Sequence, residues 1–261
     1  MSGKITAPKL LAMRQAEQKI VCLTAYDSSF GEFADAAGAD VILVGDSVAN
    51  TLLGFDSTIP VTLEHMLHHT RAVRAGVKRA LLVADLPFGS YQASVEQAIT
   101  NAALLMKAGA EAVKLEGSYP ETVTAMTQAG IPTMGHLGLT PQSIHRFGGH
   151  KVQGRGASGE AIVDAAVGLD QAGAIGIVLE VIPSDLAQRV TGAVTAPTIG
   201  IGAGPHCSGQ IQVLHDVLGL TEVELKHAKR FLDGKTLVVA AMSEFARQVR
   251  SGEFPTEQHS F

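Results

Sequence analysis

Cysteine is scarce in this chain: 261 residues contain two, Cys22 and Cys207. Two thiols so far apart give neither a disulfide framework nor a CxxC pair. The expected setting is therefore a reducing cytoplasm, with Cys22 a small buried hydrophobe. A basic run is also missing. Lys and Arg number 20 against 25 Asp and Glu, for a formal charge of -5, which argues against nucleic acid and anionic membrane as partners. The cluster "RAVRAGVKR" reads as a helix face and its exit turn. Long apolar stretches are absent too. The start, "MSGKITAPKLLAMRQAEQK", has no apolar signal core, and no uninterrupted apolar run approaches the roughly 18 residues of a membrane span. Neither a secretion signal nor a membrane segment is expected. No linker divides the chain, so 1–261 reads as one domain.

What is present is a hydrophobic fraction of 46% with 17% charged residues, enough for a large core. Short β-rich runs alternate with longer helical patterns. Strands are expected near 19–27, 40–47, 79–87, 111–117, 131–139, 174–182 and 196–204, with a weaker candidate, "IQVLHDVLG", at 211–219. Most are nearly continuous apolar runs, as required of strands covered on both faces. Between them, 94–110, 119–130 and 159–174 repeat apolar residues at helical spacing. Ala37-Gly38, Ala108-Gly109 and Ala172-Gly173 end helices with the residue type that turns most easily into a left-handed conformation. Alternation repeated about eight times favours a parallel sheet. An open doubly wound sheet satisfies the pattern, but count and length prefer a closed (β/α)8 TIM barrel followed by terminal helices and a tail.

The polar residues fall at the strand ends. Asp46 closes the second strand with Ser47 beside it, and Asp85 closes the third. Lys114 and Glu116 lie at the end of the fourth, His136 late in the fifth, Glu180 late in the sixth. In a parallel barrel these ends meet at one mouth, where barrel enzymes carry their chemistry. A single carboxylate there is ordinarily a helix cap; the set together points to a site. Carboxylates so gathered repel unless a cation joins them, and hard oxygen donors suit Mg²⁺, which takes one or two protein carboxylates plus water and substrate oxygens. Asp46 and Asp85 are the best-placed ligands. Lys114 and Glu116, two apart on a strand, share a face; they form either a plain ion pair or a cation for an anionic substrate with Glu116 behind the metal. "EHMLHH" puts His65, His68 and His69 on one helix without the HExxH pattern, and a solvated face is the simpler reading. "GIGAG" at 200–204 could cradle a phosphate after the seventh strand, but it lacks the full dinucleotide fingerprint, and a tight turn is the preferred reading.

Several strings then recur in order: "TAYD" (24–27), "LVGDS" (43–47), "STIPVT" (57–62), "DLPFGSYQ" (85–92), "VKLEG" (113–117), "GHLGLTPQS" (135–143), "FGGHKVQGR" (147–155), "IGIGAG" (199–204) and "GEFPTEQHSF" (252–261). With them the chain closely resembles the ketopantoate hydroxymethyltransferase family, from about residue 4 to the end. The resemblance implies transfer of a hydroxymethyl group from 5,10-methylenetetrahydrofolate to 3-methyl-2-oxobutanoate, giving 2-dehydropantoate for pantothenate biosynthesis through a Mg-stabilised enolate. It implies one Mg²⁺ per subunit on Asp46 and Asp85 with Glu116 close behind, the oxo acid on Ser47, Lys114 and His136 as well as those aspartates, and Glu180 as the base. It also implies a cytoplasmic homodecamer. Three positions depart from the family pattern: Ser208 stands in "SGQ" where "DGQ" is usual, His150 replaces a tyrosine, and "LEGS" replaces "LEGG".

Two other readings stand beside this one. A carbon–carbon lyase of the isocitrate-lyase type also handles metal-bound enolates, but neither Cys22 nor Cys207 lies in the context of a lyase acid. A non-catalytic barrel serving in binding or assembly would have little reason to gather a base, metal ligands and a lysine.

Overall fold

The computed structural model describes residues 3–222 and 225–261. Eight parallel strands close into a barrel in chain order: β1 (Ile20–Thr24), β2 (Val41–Val44), β3 (Leu81–Asp85), β4 (Ala112–Glu116), β5 (Thr133–Gly138), β6 (Gly176–Glu180), β7 (Thr198–Ile201) and β8 (Gly209–Gln212). β1 pairs with β8 to close the ring, Cys22 opposite Ile211. The helices are α1 (Ala7–Gln15), α2 (Ser28–Ala36), α3 (Val48–Thr51), α4 (Leu63–Gly76), α5 (Val95–Lys107), α6 (Pro120–Gln128), α7 (Ile144–Phe147), α8 (Ser158–Gln171), α9 (Ser184–Ala193), α10 (Leu214–Val217) and α11 (Gly234–Ser251). The chain forms two compact units, Met1–Val213, which contains the whole barrel, and Leu214–Phe261, which contains α10 and α11. Among the described residues no helix is long and apolar enough to cross a membrane.

Local chemistry explains the alternation. Helix starts are capped by side chains: Asp27 accepts from the Phe30 N–H, Ser94 from that of Gln97, and Thr62 forms a reciprocal box with His65. His65 thus has a structural role, and its neighbour His69 places Nδ1 2.7 Å from the Tyr26 carbonyl. The "AG" endings behave as expected, with Gly38, Gly109 and Gly173 at φ of 93°, 112° and 92°.

Side-chain parity divides the interior in two. Outward-facing residues such as Ile42, Leu82, Val113, Leu115, Ile177 and Leu179 pack with the helices in the larger core. Inward-facing ones, including Cys22, Leu43, Val83, Ala112, Met134, Val178, Ile199 and Ile211, fill the barrel itself. Leu10 and Met13 of α1 join that inner cluster. Arg14 of α1 donates to the carbonyls of Thr191, Val194 and Ala196, just ahead of β7, so α1 closes the N-terminal end of the barrel. Both cysteines are buried free thiols.

The seventh strand lies within its expected range, and the eighth departs from the sequence expectation. The final strand is Gly209–Gln212, not 211–219, and Leu214–Val217 is helical. β8 is short and carries one bulky inward residue, Ile211, between glutamines, so it lacks the apolar run that marked the others. No helix separates it from β7. Residues 202–208 cross back alone, through Gly202 and Gly204 at positive φ (64° and 78°), so "GIGAG" begins a compact crossover. Ser208 bridges the start of both strands. Its N–H donates to Thr198 Oγ1 at 3.2 Å and its Oγ accepts from the Thr198 N–H at 3.3 Å. The departure at Ser208 therefore lies at the barrel end opposite the strand carboxylates.

Asp35, near the end of α2, pins the entry to β3. Its carboxylate accepts from the backbone N–H groups of Lys78 (2.9 Å), Arg79 (2.9 Å) and Ala80 (2.6 Å). Burial pushes its pKa up, but these N–H groups and the nearby Arg79 guanidinium outweigh it and hold the pKa below the usual aspartate value. Asp35→Ala is expected to lower unfolding stability by about 2 kcal/mol near neutral pH. Because the folded pKa lies below the unfolded one, Asp35 stabilises the fold above roughly pH 4, and that contribution disappears as pH falls through the folded value. Urea melts of both proteins at pH 7 and pH 3 check this; a difference that does not shrink in acid contradicts it.

Candidate active site

The inward parity that fills the barrel with apolar side chains turns polar at the C-terminal ends of four strands. β3 reads Leu81, Val83, Asp85; β4 reads Ala112, Lys114, Glu116; β5 reads Met134, His136; β6 reads Val178, Glu180. Register brings them level: Asp85 is paired with Lys114, Glu116 with His136, and Gly138 with Glu180. Asp46 reaches the same place from a different backbone. β2 stops at Val44, two residues earlier, so Asp46 lies in the turn leading to α3 rather than at the strand end. Its backbone N–H donates to Asp85 Oδ2 at 3.0 Å, which fixes the turn against β3. Ser47 follows, half-buried, with Oγ 2.7 Å from the Tyr26 hydroxyl.

The candidate residues converge. Lys114 Nζ lies 2.9 Å from Asp85 Oδ1 and 3.9 Å from Glu116 Oε1. His136 stands between two glutamates, Nδ1 3.3 Å from Glu116 Oε1 and Nε2 3.2 Å from Glu180 Oε2. Asp46, Asp85, Lys114, Glu116 and His136 are all buried, while Glu180 is the more open member. Two backbone features set Glu180. Gly138 sits at φ 94°, and a Cβ there would fall 2.2 Å from the Glu180 carbonyl oxygen. Val181, immediately after Glu180, is a β-branched residue at φ 47°, held by N–H donation to Ile201 O (2.9 Å) and by acceptance from the Gln153 N–H (3.0 Å). A conformation so unfavourable for valine persists because both neighbours impose it.

Sequence reasoning missed Gln142, in the 3₁₀ turn Pro141–Ser143 that follows β5. It is buried, donates from Nε2 to Asp46 Oδ2 (2.9 Å) and Leu86 O (3.1 Å), and donates from its backbone N–H to Glu116 Oε2 (2.9 Å). Tyr91 was missed as well. Its buried hydroxyl lies 2.9 Å from Gln142 Oε1 and 3.0 Å from Glu116 O, and it accepts from the Glu116 N–H at 3.1 Å. Gln142 falls within "GHLGLTPQS" and Tyr91 within "DLPFGSYQ", the only signals that could have singled them out.

The electrostatics are unbalanced. Four carboxylates face one ammonium and one imidazole. Burial, then repulsion from Glu116 and Asp85, raises the Asp46 pKa well above the usual aspartate value. Burial also raises Asp85, although Lys114 pulls against it. Burial would lower Lys114, but Asp85, Glu116 and Asp46 more than offset it and hold the ammonium charged. Glu116 would rise on burial, yet His136 and Lys114 keep it below its ordinary value. Burial and Lys114 push His136 down, while its contacts with Glu116 and Glu180 hold it up at about 9.

This arrangement fits a small hard cation. One oxygen of each of Asp46, Asp85 and Glu116 is committed to an amide donor. Asp85 Oδ1 and Glu116 Oε1 are buried with only ion-pair contacts and no aligned hydrogen bond. Among the described residues no group of three or more His, Cys, Asp or Glu is arranged to enclose a metal by itself. Mg²⁺ needs no such cage, since two carboxylates with water and substrate oxygens complete its shell.

The ketopantoate hydroxymethyltransferase family model matches residues 4–257. The chain belongs to this family. Its similarity to 3-methyl-2-oxobutanoate hydroxymethyltransferases extends over nearly the whole sequence. It is 50% identical to that of Moorella thermoacetica over 99% of this chain and 98% of the relative. It is 48% identical to that of Pelobacter propionicus over 100% and 98%. Among solved structures, phosphonopyruvate hydrolase in complex with oxalate and Mg++ superposes with a TM-score of 0.63 at 15% identity, covering 95% of this chain and 88% of its own. 2,3-Dimethylmalate lyase, a member of the PEP mutase/isocitrate lyase superfamily, gives 0.59 at 16% identity over 98% and 91%. At these identities the structural likeness concerns the fold alone.

Proposed function

We propose that this chain transfers a hydroxymethyl group from 5,10-methylenetetrahydrofolate to 3-methyl-2-oxobutanoate, giving 2-dehydropantoate on the route to pantothenate. The observation that carries the reading is the convergence of Asp46 and Asp85, joined at 3.0 Å through the Asp46 N–H, with Lys114, His136 and Glu180 at one barrel mouth. Family membership over the whole chain favours it above a carbon–carbon lyase and above a non-catalytic barrel.

Asp46 and Asp85 would hold one Mg²⁺ per subunit, with Glu116 adjusting its surroundings. When bound, Mg²⁺ supplies Lewis acidity to the keto oxygen. Lys114 offers a fixed ammonium to the anionic oxo acid, and Ser47 and His136 offer hydrogen bonds to its oxygens. Glu180 takes the C3 proton, and the C–H electron pair moves into the enolate. His136, carrying its proton between Glu116 and Glu180, places positive charge beside the developing oxyanion. The C3 carbon then forms a bond to the methylene carbon of the folate, and both C–N bonds of that methylene break. Water supplies the oxygen of the new hydroxymethyl group and its two protons go to the released folate nitrogens, and the proton held on Glu180 returns to the new alkoxide. The folate's own chemistry provides the electrophile.

The reading also includes assembly as a homodecamer, for which α11 offers exposed Val238, Met242, Phe245 and Val249 at helical spacing. Sedimentation at a monomer's mass would overturn that part alone. The central test is product mass after incubation with the oxo acid, methylenetetrahydrofolate and Mg²⁺. A gain of CH₂O over the oxo acid is expected. Unchanged oxo acid rejects the transfer, and smaller fragments would favour the lyase.

A further inference from the structure

We infer that Gln142 is the positioning residue of the proposed metal site, holding Asp46 and Glu116 at a fixed separation by committing one oxygen of each to an amide donor. The inference rests on the metal reading above but concerns a residue that reading does not use.

The amide orientation is dictated by its neighbours. Nε2 faces two acceptors, Asp46 Oδ2 at 2.9 Å and Leu86 O at 3.1 Å. Oε1 faces two donors, the Tyr91 hydroxyl at 2.9 Å and Gln92 Nε2 at 3.3 Å. A flipped amide would oppose oxygen to oxygen on one side and hydrogen to hydrogen on the other. The backbone N–H of the same residue, at 2.9 Å, takes Glu116 Oε2. One buried residue therefore grips two carboxylates that arrive on different segments, the turn after β2 and the end of β4. These two are buried carboxylates brought to one residue, so like charge sets them against each other. Two donors from one rigid turn counter that repulsion and leave the second oxygen of Asp46 to the cation, while Glu116 Oε1 faces His136 at 3.3 Å behind it. Partners that orient metal ligands typically contribute 10–100-fold to metal affinity.

The test is Mn²⁺ binding, read by the loss of the free-ion electron paramagnetic resonance signal, in the wild type, Gln142→Met and Tyr91→Phe, alongside thermal unfolding of each metal-free protein. Gln142→Met keeps the volume and removes the side-chain donor to Asp46. It is expected to weaken Mn²⁺ binding 10–100-fold. Tyr91→Phe removes a buried hydroxyl from the same network but leaves both donors onto the carboxylates. It is expected to weaken binding less than threefold while lowering the unfolding midpoint by at least as much. Equal Mn²⁺ affinity in Gln142→Met and the wild type would overturn the inference. So would metal losses in the two variants that simply track their losses of stability. Should Gln142→Met not fold, Gln142→Asn, one methylene short of Asp46, carries the same expectation and the same refutation. A wild type that binds no Mn²⁺ instead overturns the metal reading itself.

Discussion

Asp46→Ala is expected to abolish metal-dependent exchange of the C3 proton of 3-methyl-2-oxobutanoate with solvent deuterium, a loss of roughly 10³-fold or more. That figure corresponds to about 4 kcal/mol of transition-state stabilisation, the scale at which a cation assists a developing oxyanion. Asp46 is one of two carboxylates proposed to hold Mg²⁺, and one aspartate cannot replace the pair. The fold should tolerate the change. Asp46 lies in a turn outside every strand, and its charge is buried among like charges that raise its pKa. Removing it relieves that repulsion, while Gln142 Nε2 retains Leu86 O as a partner. The metal-free unfolding midpoint should therefore hold steady or rise. Proton NMR in D₂O measures the exchange, and calorimetry with and without Mg²⁺ measures oxo-acid binding. Exchange at the wild-type rate would reject Asp46 as a ligand.

Glu180→Gln should give the opposite pattern, with binding retained and chemistry lost. Glutamine preserves the length and an oxygen that can accept from His136 Nε2, 3.2 Å away. It cannot accept a proton from carbon. Exchange should slow by about 10²–10⁴-fold, the usual contribution of a positioned base, while oxo-acid affinity in the presence of Mg²⁺ stays within about threefold. The two measurements separate the roles: Asp46→Ala loses Mg²⁺-dependent binding together with exchange, and Glu180→Gln loses exchange alone. A normal exchange rate in Glu180→Gln would remove it as the base.

Much of the barrel was legible because strands buried on both faces require continuous apolar runs, and seven such runs punctuated by helix-ending glycines stand in the sequence. The eighth was misplaced because Gln210 and Gln212 flank its single bulky apolar residue, whereas Val213, Leu214, Val217 and Leu218 after it imitate a strand although Leu214–Val217 is a helical turn. The missing helix between β7 and β8 was equally hidden, since glycine content signals a turn without stating how far the chain must travel. The charged residues of the site were readable because a charge at the end of an apolar run has few structural uses. Gln142 and Tyr91 were not. Neutral polar side chains carry no periodic signature, and their bonds, to residues 25 to 96 positions away, exist only once four loops are brought together.

The polar residues of β3, β4, β5 and β6 share their pleat phase with the apolar residues inside the barrel. A strand therefore has only one reading frame in which both the core and the chemistry are correct. Deleting one residue from β4 would turn Lys114 and Glu116 out against the surrounding helices and swing Val113 and Leu115 toward the mouth. Misfolding and inactivation would then be the same event, so the barrel has no well-packed but chemically empty alternative at that strand.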